Sequence, residues 1–286
     1  VTAAVIELGQ RVVTEPSLTR RSVNPDASAE HLILAWSAAA QESLERGGNP
    51  TLTHLGVAIP GPFDYRSGIS RLQHKFAAVY GLNLGAALLE RVFGEVTPEV
   101  KVLFGNDGGL FTLGEWWAGV AQGHRRVMGV TLGTGLGVGF VQDGKIRYGG
   151  DHLPPNGAIW NLPYRGGIAE DYASGDALIG AYLKLAAKNA TPAEIARAAR
   201  TGDPAALEVY AAMGQHLSNI LKPWVGQFCP SCVVVGGNIA RSWSLFGEPI
   251  EAGLGDQTQV VVSSLFEQAN LLGAAALWPR ARKDRL

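Results

Sequence analysis

Thr131-Leu-Gly-Thr-Gly-Leu-Gly-Val-Gly139 is the stretch from which the fold can be read. The apolar run Val127 to Leu132 leads into it as a strand, and Gly139 to Gln142 leads out as another, so the glycines occupy a turn between two strands. With no Cβ in the way, backbone N–H groups at such a turn approach a polyanion closely, and Thr134 adds a hydroxyl donor. Two common phosphate loops are excluded. A G-x-G-x-x-G dinucleotide loop opens a helix, whereas this stretch runs on into a strand and a hairpin at Asp143-Gly144. A Walker loop needs Gly-Lys-Ser/Thr, which the chain lacks. A glycine-rich β-turn without a ligand has the same composition, so the stretch alone leaves both readings open.

Working outward, strands alternate with helices on both sides of this turn. Upstream, Thr2 to Leu8 and Arg11 to Glu15 read as two short strands joined at Gly9-Gln10. A helix is expected from Ala29 to Arg46, begun by the capping residues Asp26 to Ser28 and ended by Gly47-Gly48. Leu55-Gly-Val-Ala-Ile-Pro-Gly-Pro is a strand stopped by a turn, Leu84 to Phe93 a helix, and Val100 to Phe104 a strand running into a helix over Leu110 to Ala121. Downstream, Lys145 to Tyr148 is a return strand, 149 to 168 an ordered loop, and 169 to 224 mostly helical. Val233 to Val235 and Val260 to Ser263 are strands, and Glu267 to Leu277 is a last helix. The pattern predicts an α/β protein of two successive sheet-plus-helix units, with a boundary near residues 108 to 125.

Two strand ends carry candidate chemistry. Asn106-Asp107 lies at the carboxyl end of a strand and before a helix. Transfer of phosphate to an alcohol needs a carboxylate that accepts the hydroxyl proton, and Asp107 suits that role with Asn106 beside it for a neighbouring hydroxyl. Both residue types are also preferred helix N-caps, which is the plainer reading. Gly236-Gly237-Asn238 ends an all-valine strand, where ligands of open α/β sheets bind, although a tight turn explains it equally.

Composition narrows the class. The chain has 286 residues, 47% of them hydrophobic and 17% charged, with a formal net charge of −1 and no long run of one sign. A nucleic-acid partner would call for a basic face, so none is expected. No apolar stretch reaches the roughly 18 to 20 residues of a membrane span. Cys229 and Cys232 form a C-P-S-C pair that precedes a strand rather than opening a helix, and two cysteines cannot close a zinc site. Reduced thiols in the cytoplasm are the expectation.

Five motifs together resemble one family. Leu55-Gly-Val-Ala-Ile-Pro-Gly-Pro, Gly105-Asn106-Asp107, Thr131-Leu-Gly-Thr-Gly-Leu-Gly, Glu170-Asp-Tyr-Ala-Ser-Gly and Val235-Gly-Gly-Asn238 have the order and spacing of ROK (repressor, open reading frame, kinase) sugar kinases of the glucokinase type. The resemblance implies an actin-like (ribonuclease H-like) ATPase fold of two lobes with a cleft between them, residues 1–108 plus 268–286 forming the small lobe and 109–267 the large one. It implies ATP with Mg2+, a hexose or amino sugar as substrate, and a homodimer. Asp107 would be the general base and Asn106 and Glu170 sugar ligands, although Glu170 also has a helix-dipole explanation. Thr131, Gly133, Thr134 and Gly135 would hold phosphates, with Gly236 and Gly237 flanking the adenosine. A sugar-sensing regulator or an inactive sugar-binding protein of the same fold is the rival expectation. A nicotinamide-dependent oxidoreductase is excluded, since no glycine motif opens a helix in a βαβ unit.

Three departures from the family pattern shape the expectations. The segment Asn161 to Glu170 contains no Cys or His where the family has a zinc loop, so a zinc-free branch and no structural zinc are expected. Ala158 and Asn161 stand where the family has a sugar-binding Glu and His, leaving Asn161 and the face of Trp160 as candidate contacts. Each lost hydrogen bond to a charged group is worth about 1.5–3 kcal/mol, so a weaker or different sugar preference follows. The family also begins with a strand ending in Asp-x-Gly-Gly-Thr, whose place is central in the sheet. Here the first strand read is the next one, so the expectation is a truncated record or another segment in that place.

Overall fold

The computed structural model describes residues 1–94 and 99–278. Along the chain, α1 (Ala29–Arg46), β1 (His54–Ala58), α2 (Leu84–Phe93), β2 (Lys101–Gly105) and α3 (Asp107–Trp117) are followed by the hairpin strands β3 (Arg126–Leu132), β4 (Leu136–Gln142) and β5 (Lys145–Ile146). Then come β6 (Pro163–Tyr164), β7 (Gly167–Ile168), α4 (Gly175–Ala186), α5 (Pro192–Arg200), α6 (Pro204–Phe228), β8 (Cys232–Gly236), α7 (Glu248–Leu254), β9 (Gln259–Val262) and α8 (Gln268–Ala276). The chain forms two compact units, Val1–Leu110 with Gln268–Leu286, and Phe111–Glu267.

In the first unit β1 and β2 run parallel, paired from His54↔Lys101 to Ala58↔Gly105. The ladder is extended by Ile59 N–H donating to Gly105 O at 3.1 Å. Helix α1 starts where Ser28 accepts the His31 N–H and ends at Gly47, as its sequence predicts. It packs against α2, and α8 packs on β1. Leu32, Ile59, Phe63, Leu72, Val79, Leu84 and Phe104 form a buried cluster in this unit. The two N-terminal strands expected over Thr2 to Leu8 and Arg11 to Glu15 are shorter than predicted. Ile6–Glu7 pairs with Val12–Val13, and Thr2–Ala3 pairs instead with Thr19–Arg20. The break falls at Val5, whose N–H donates to Ser17 Oγ at 2.8 Å rather than to a ladder.

The second unit is built on a five-stranded sheet in the order β5-β4-β3-β8-β9. β3, β4 and β5 form an antiparallel meander, while β8 is parallel to both β3 and β9. A strand with partners on both edges and cover on its faces reads as continuous apolar sequence, and Cys232 to Gly236 is buried throughout. Met128, Val130, Leu132, Phe140, Val233 and Val235 join Leu217 and Leu221 of α6 in the main core.

Elements beyond the N-terminal strands also differ from expectation. α3 begins at Asp107 and ends at Trp117 rather than covering Leu110 to Ala121. Asn106 starts it early by accepting two N–H groups, and the Glu115 side chain takes the Val120 N–H beyond its end. The loop 149 to 168 contains the β6–β7 hairpin. The region after β8 contains a 3-10 helix over Asn238–Leu245 and α7.

Candidate active site

In the first unit the candidate site lies at the carboxyl end of β2. Asn106 satisfies the start of α3: its Oδ1 accepts from Gly108 N–H at 3.0 Å and from Gly109 N–H at 3.4 Å. Its Nδ2 lies 3.3 Å from Tyr65 Oη, which donates to Ile59 O at 3.3 Å. Asp107 is left outside this capping role. It is exposed, and its Oδ1 accepts from Gly108 N–H at 2.9 Å. The capping explanation therefore accounts for Asn106 and leaves Asp107 a carboxylate whose Oδ2 has no hydrogen-bond partner among the described residues.

In the second unit three segments converge. Gly236 lies opposite Thr131 in the parallel β3–β8 pair, so the turn 133–135 and the Gly236-Gly237 turn leave neighbouring strands at the same end. The third segment is the start of α4, capped by Ser174. Gly175 N–H donates to Gly133 O at 2.8 Å and Asp176 N–H to Thr134 O at 3.2 Å. Inside the turn, Gly133 N–H donates to Gly135 O at 3.1 Å.

The glycines differ in what demands them. Gly237 has φ +83°, and a Cβ there would lie 2.3 Å from Leu132 O; at Gly236 it would lie 2.4 Å from the Phe111 ring. Packing of the sheet accounts for both. At Gly135 a Cβ would meet Glu170 Oε2 at 2.3 Å, whereas at Gly133 nothing lies within 4 Å. Gly133, beside the exposed Thr134, has open space where a Cβ would sit, so packing does not account for the glycine there.

Glu170 sits in a 3-10 turn, Ala169–Asp171, and its Oε2 accepts from Leu136 N–H at 2.8 Å. Its own N–H donates to Trp160 O at 3.0 Å, which brings the 158–161 stretch beside it. Trp160 is 44% exposed. The Asn161 side chain is exposed, with no hydrogen-bond partner among the described residues, and Ala158 is half-buried. The β6–β7 hairpin between them is fastened to α6 by aromatic contacts that sequence reasoning missed. Tyr164 Oη lies 3.0 Å from His216 Nδ1, and Tyr172 packs edge-on against both rings. Burial, and secondly the Arg165 guanidinium, hold the His216 imidazole below its ordinary pKa.

Also missed was Glu115, fully buried in α3. Its Oε1 accepts from Ser263 Oγ and from Leu265 N–H at 3.2 Å, and its Oε2 from Val120 N–H at 3.0 Å. Among the described residues no three His, Cys, Asp or Glu side chains gather as a metal cage. Magnesium that travels on substrate phosphates needs only one or two carboxylates and water, so the lack of such a cage among the described residues does not bear on it. No helix among the described residues is long and apolar enough to cross a membrane.

A sheet of order 3-2-1-4-5 with a glycine turn in its first hairpin, in a chain that also has a smaller α/β unit, defines the actin-like ATPase class of fold. The profile of the ROK family matches residues 3–281, and the chain belongs to that family. A glucokinase of Thermotoga maritima is 29% identical over 269 residues, 83% of each chain. A ROK family glucokinase from Streptomyces griseus, solved in complex with glucose and AMPPNP, superposes with a TM-score of 0.76 at 24% identity, covering 96% of this chain and 95% of that one. A ROK family transcriptional regulator, a homologue of the Escherichia coli Mlc protein, superposes at 0.79 with 22% identity, covering 96% of this chain and 74% of that one.

Proposed function

We propose that this chain is an ATP-dependent sugar kinase that transfers the γ-phosphoryl group of ATP to a hydroxyl of a hexose or amino sugar. The observation that carries this reading is the division of labour at Asn106-Asp107: the first residue caps the helix, and the second keeps an exposed, uncommitted carboxylate oxygen. Asp107 takes the hydroxyl proton as the sugar oxygen bonds to the γ-phosphorus, and the bond to the ADP oxygen breaks in line. Asn106 orients an adjacent hydroxyl, while Glu170 and Asn161 bind the sugar. Thr131, Gly133, Thr134 and Gly135 hold the phosphates, and Gly236 and Gly237 flank the adenosine. Magnesium, when bound with the nucleotide, would supply charge neutralisation of the phosphates. Glucokinase relatives support the reaction class. Ala158 and Asn161 in place of the Glu and His expected of the family support a sugar preference that differs from theirs. A cytoplasmic homodimer belongs to the same reading.

The test is a coupled ADP-release screen over hexoses and amino sugars, repeated with Asp107→Ala and Asp107→Asn. Turnover should fall by about 10²–10⁴-fold in both variants, the usual worth of a positioned general base, with melting curves unchanged. Retained turnover in either removes Asp107 from the mechanism. The absent Glu and His pair also favours a second reading, a sugar-sensing regulator or inactive sugar-binding protein. Sugar binding by calorimetry with no ADP release from any sugar would select it.

A further inference from the structure

The glycine turn 133–135 is fixed from outside by one segment, residues 170–176. Two of its three anchors are backbone N–H groups, Gly175 to Gly133 O and Asp176 to Thr134 O, and substitution of a side chain leaves them in place. The third is a side chain: Glu170 Oε2 accepts the Leu136 N–H at 2.8 Å, lying against Gly135 where a Cβ would sit 2.3 Å away. A carboxylate is an unexpected group to find against a turn that holds phosphates, because its charge repels them. Its value there is geometric. Glycine-rich backbone has many conformations to lose, and one strong hydrogen bond at the strand end removes them. Glu170 Oε1 has no hydrogen-bond partner among the described residues, so one carboxylate has an occupied and an uncommitted oxygen.

We propose that Glu170 is a positioning residue for the phosphate turn, holding it through Leu136 N–H with Oε2 while Oε1 receives a sugar hydroxyl, so that nucleoside triphosphate and sugar affinities are coupled through one side chain. The coupling rests on the kinase reading above; the hydrogen bond to the turn does not. Any sugar that fixes the carboxylate stiffens the turn, and by linkage a bound triphosphate tightens the sugar.

The experiment compares wild type, Glu170→Gln and Glu170→Ala. Amide hydrogen exchange at Leu136, read without any ligand, should speed up by about tenfold or more in E170A, as loss of a charged acceptor implies, and stay close to wild type in E170Q, which keeps an acceptor oxygen. Titration with AMPPNP in the absence of sugar should give a Kd weakened by about tenfold in E170A and within about threefold of wild type in E170Q. Unchanged exchange in E170A overturns the proposal, and so does equal weakening in E170Q, since charge and not the bond would then be responsible. A wild type that binds no AMPPNP, with exchange behaving as expected, defeats the kinase reading and the coupling while leaving the hold on the turn standing.

Discussion

Removing the Glu115 carboxyl group should destabilise the second unit without touching the candidate site. The side chain is fully buried and accepts from Ser263 Oγ, Leu265 N–H and Val120 N–H. In Glu115→Ala the Ser263 hydroxyl can rotate to another acceptor, but the two backbone N–H groups cannot move without moving the chain. At about 1–3 kcal/mol per orphaned group, the loss is about 2–6 kcal/mol. Val120 is 38% exposed, so water can reach its N–H, and the lower half of that range, about 2–4 kcal/mol, is the expectation. That is a large share of the roughly 5–15 kcal/mol by which domains are stable. Glu115→Gln keeps one acceptor oxygen and turns an NH2 toward the remaining donor, so it should lose about 1–3 kcal/mol, the worth of one bond. Urea unfolding followed by tryptophan fluorescence measures both, with the slope checked for a constant denatured state. If Glu115→Ala falls within about 0.5 kcal/mol of wild type, the ordinary range for surface changes, the three bonds do not hold this unit together.

Two further predictions concern titratable groups. Burial, and then Arg165, hold the His216 imidazole below its ordinary pKa in the folded state, with Tyr164 and Tyr172 as its other neighbours. A histidine whose folded pKa lies below its unfolded value near ~6.5 stabilises the fold fully above that pH, and the contribution is lost as pH falls. Melting temperature should therefore drop between about pH 7 and pH 5, and His216→Gln should flatten that drop; equal slopes in the two proteins would refute it. Burial first, and then Glu115, push the Cys232 thiol up to about 11, while Cys229 is exposed at the end of α6. Iodoacetamide at neutral pH should alkylate Cys229 alone in the folded protein, and mass spectrometry showing modified Cys232 would contradict this.

What the sequence discloses depends on how local the cause is. α1 is legible to the residue because Ser28 and Gly47, which bound it, lie directly at its ends. The β3–β4 hairpin and its turn are legible because a two-strand apolar pattern brackets the glycines, and the actin-like fold follows from that pattern and the order of motifs. The β6–β7 hairpin is not legible: strands of two residues, one starting with Pro163 and the other with Gly167, are too short to show alternation. Its fastening joins Tyr164 to His216 across 52 positions, and no spacing rule announces such a pair. Asn106 and Asp107 read alike in sequence as possible caps, and only the hydrogen bonds assign that task to Asn106.

The three carboxylates Asp107, Glu115 and Glu170 make the general point. Each lies in or at the start of a helical segment, and residue type does not separate them. Hydrogen-bond demand does. Glu115 is buried and serves three donors with both oxygens, so nothing remains for a substrate. Glu170 is half-buried and serves one donor of the turn with one oxygen. Asp107 is exposed, and its one donor is the next residue of its own helix. A proton acceptor must keep a lone pair free and reach water or substrate, and burial with full satisfaction removes both. On that physical ground Glu115 belongs to the scaffold, while Glu170 and Asp107 keep the free oxygens that their proposed roles, at the join with the ligand and in proton acceptance, require.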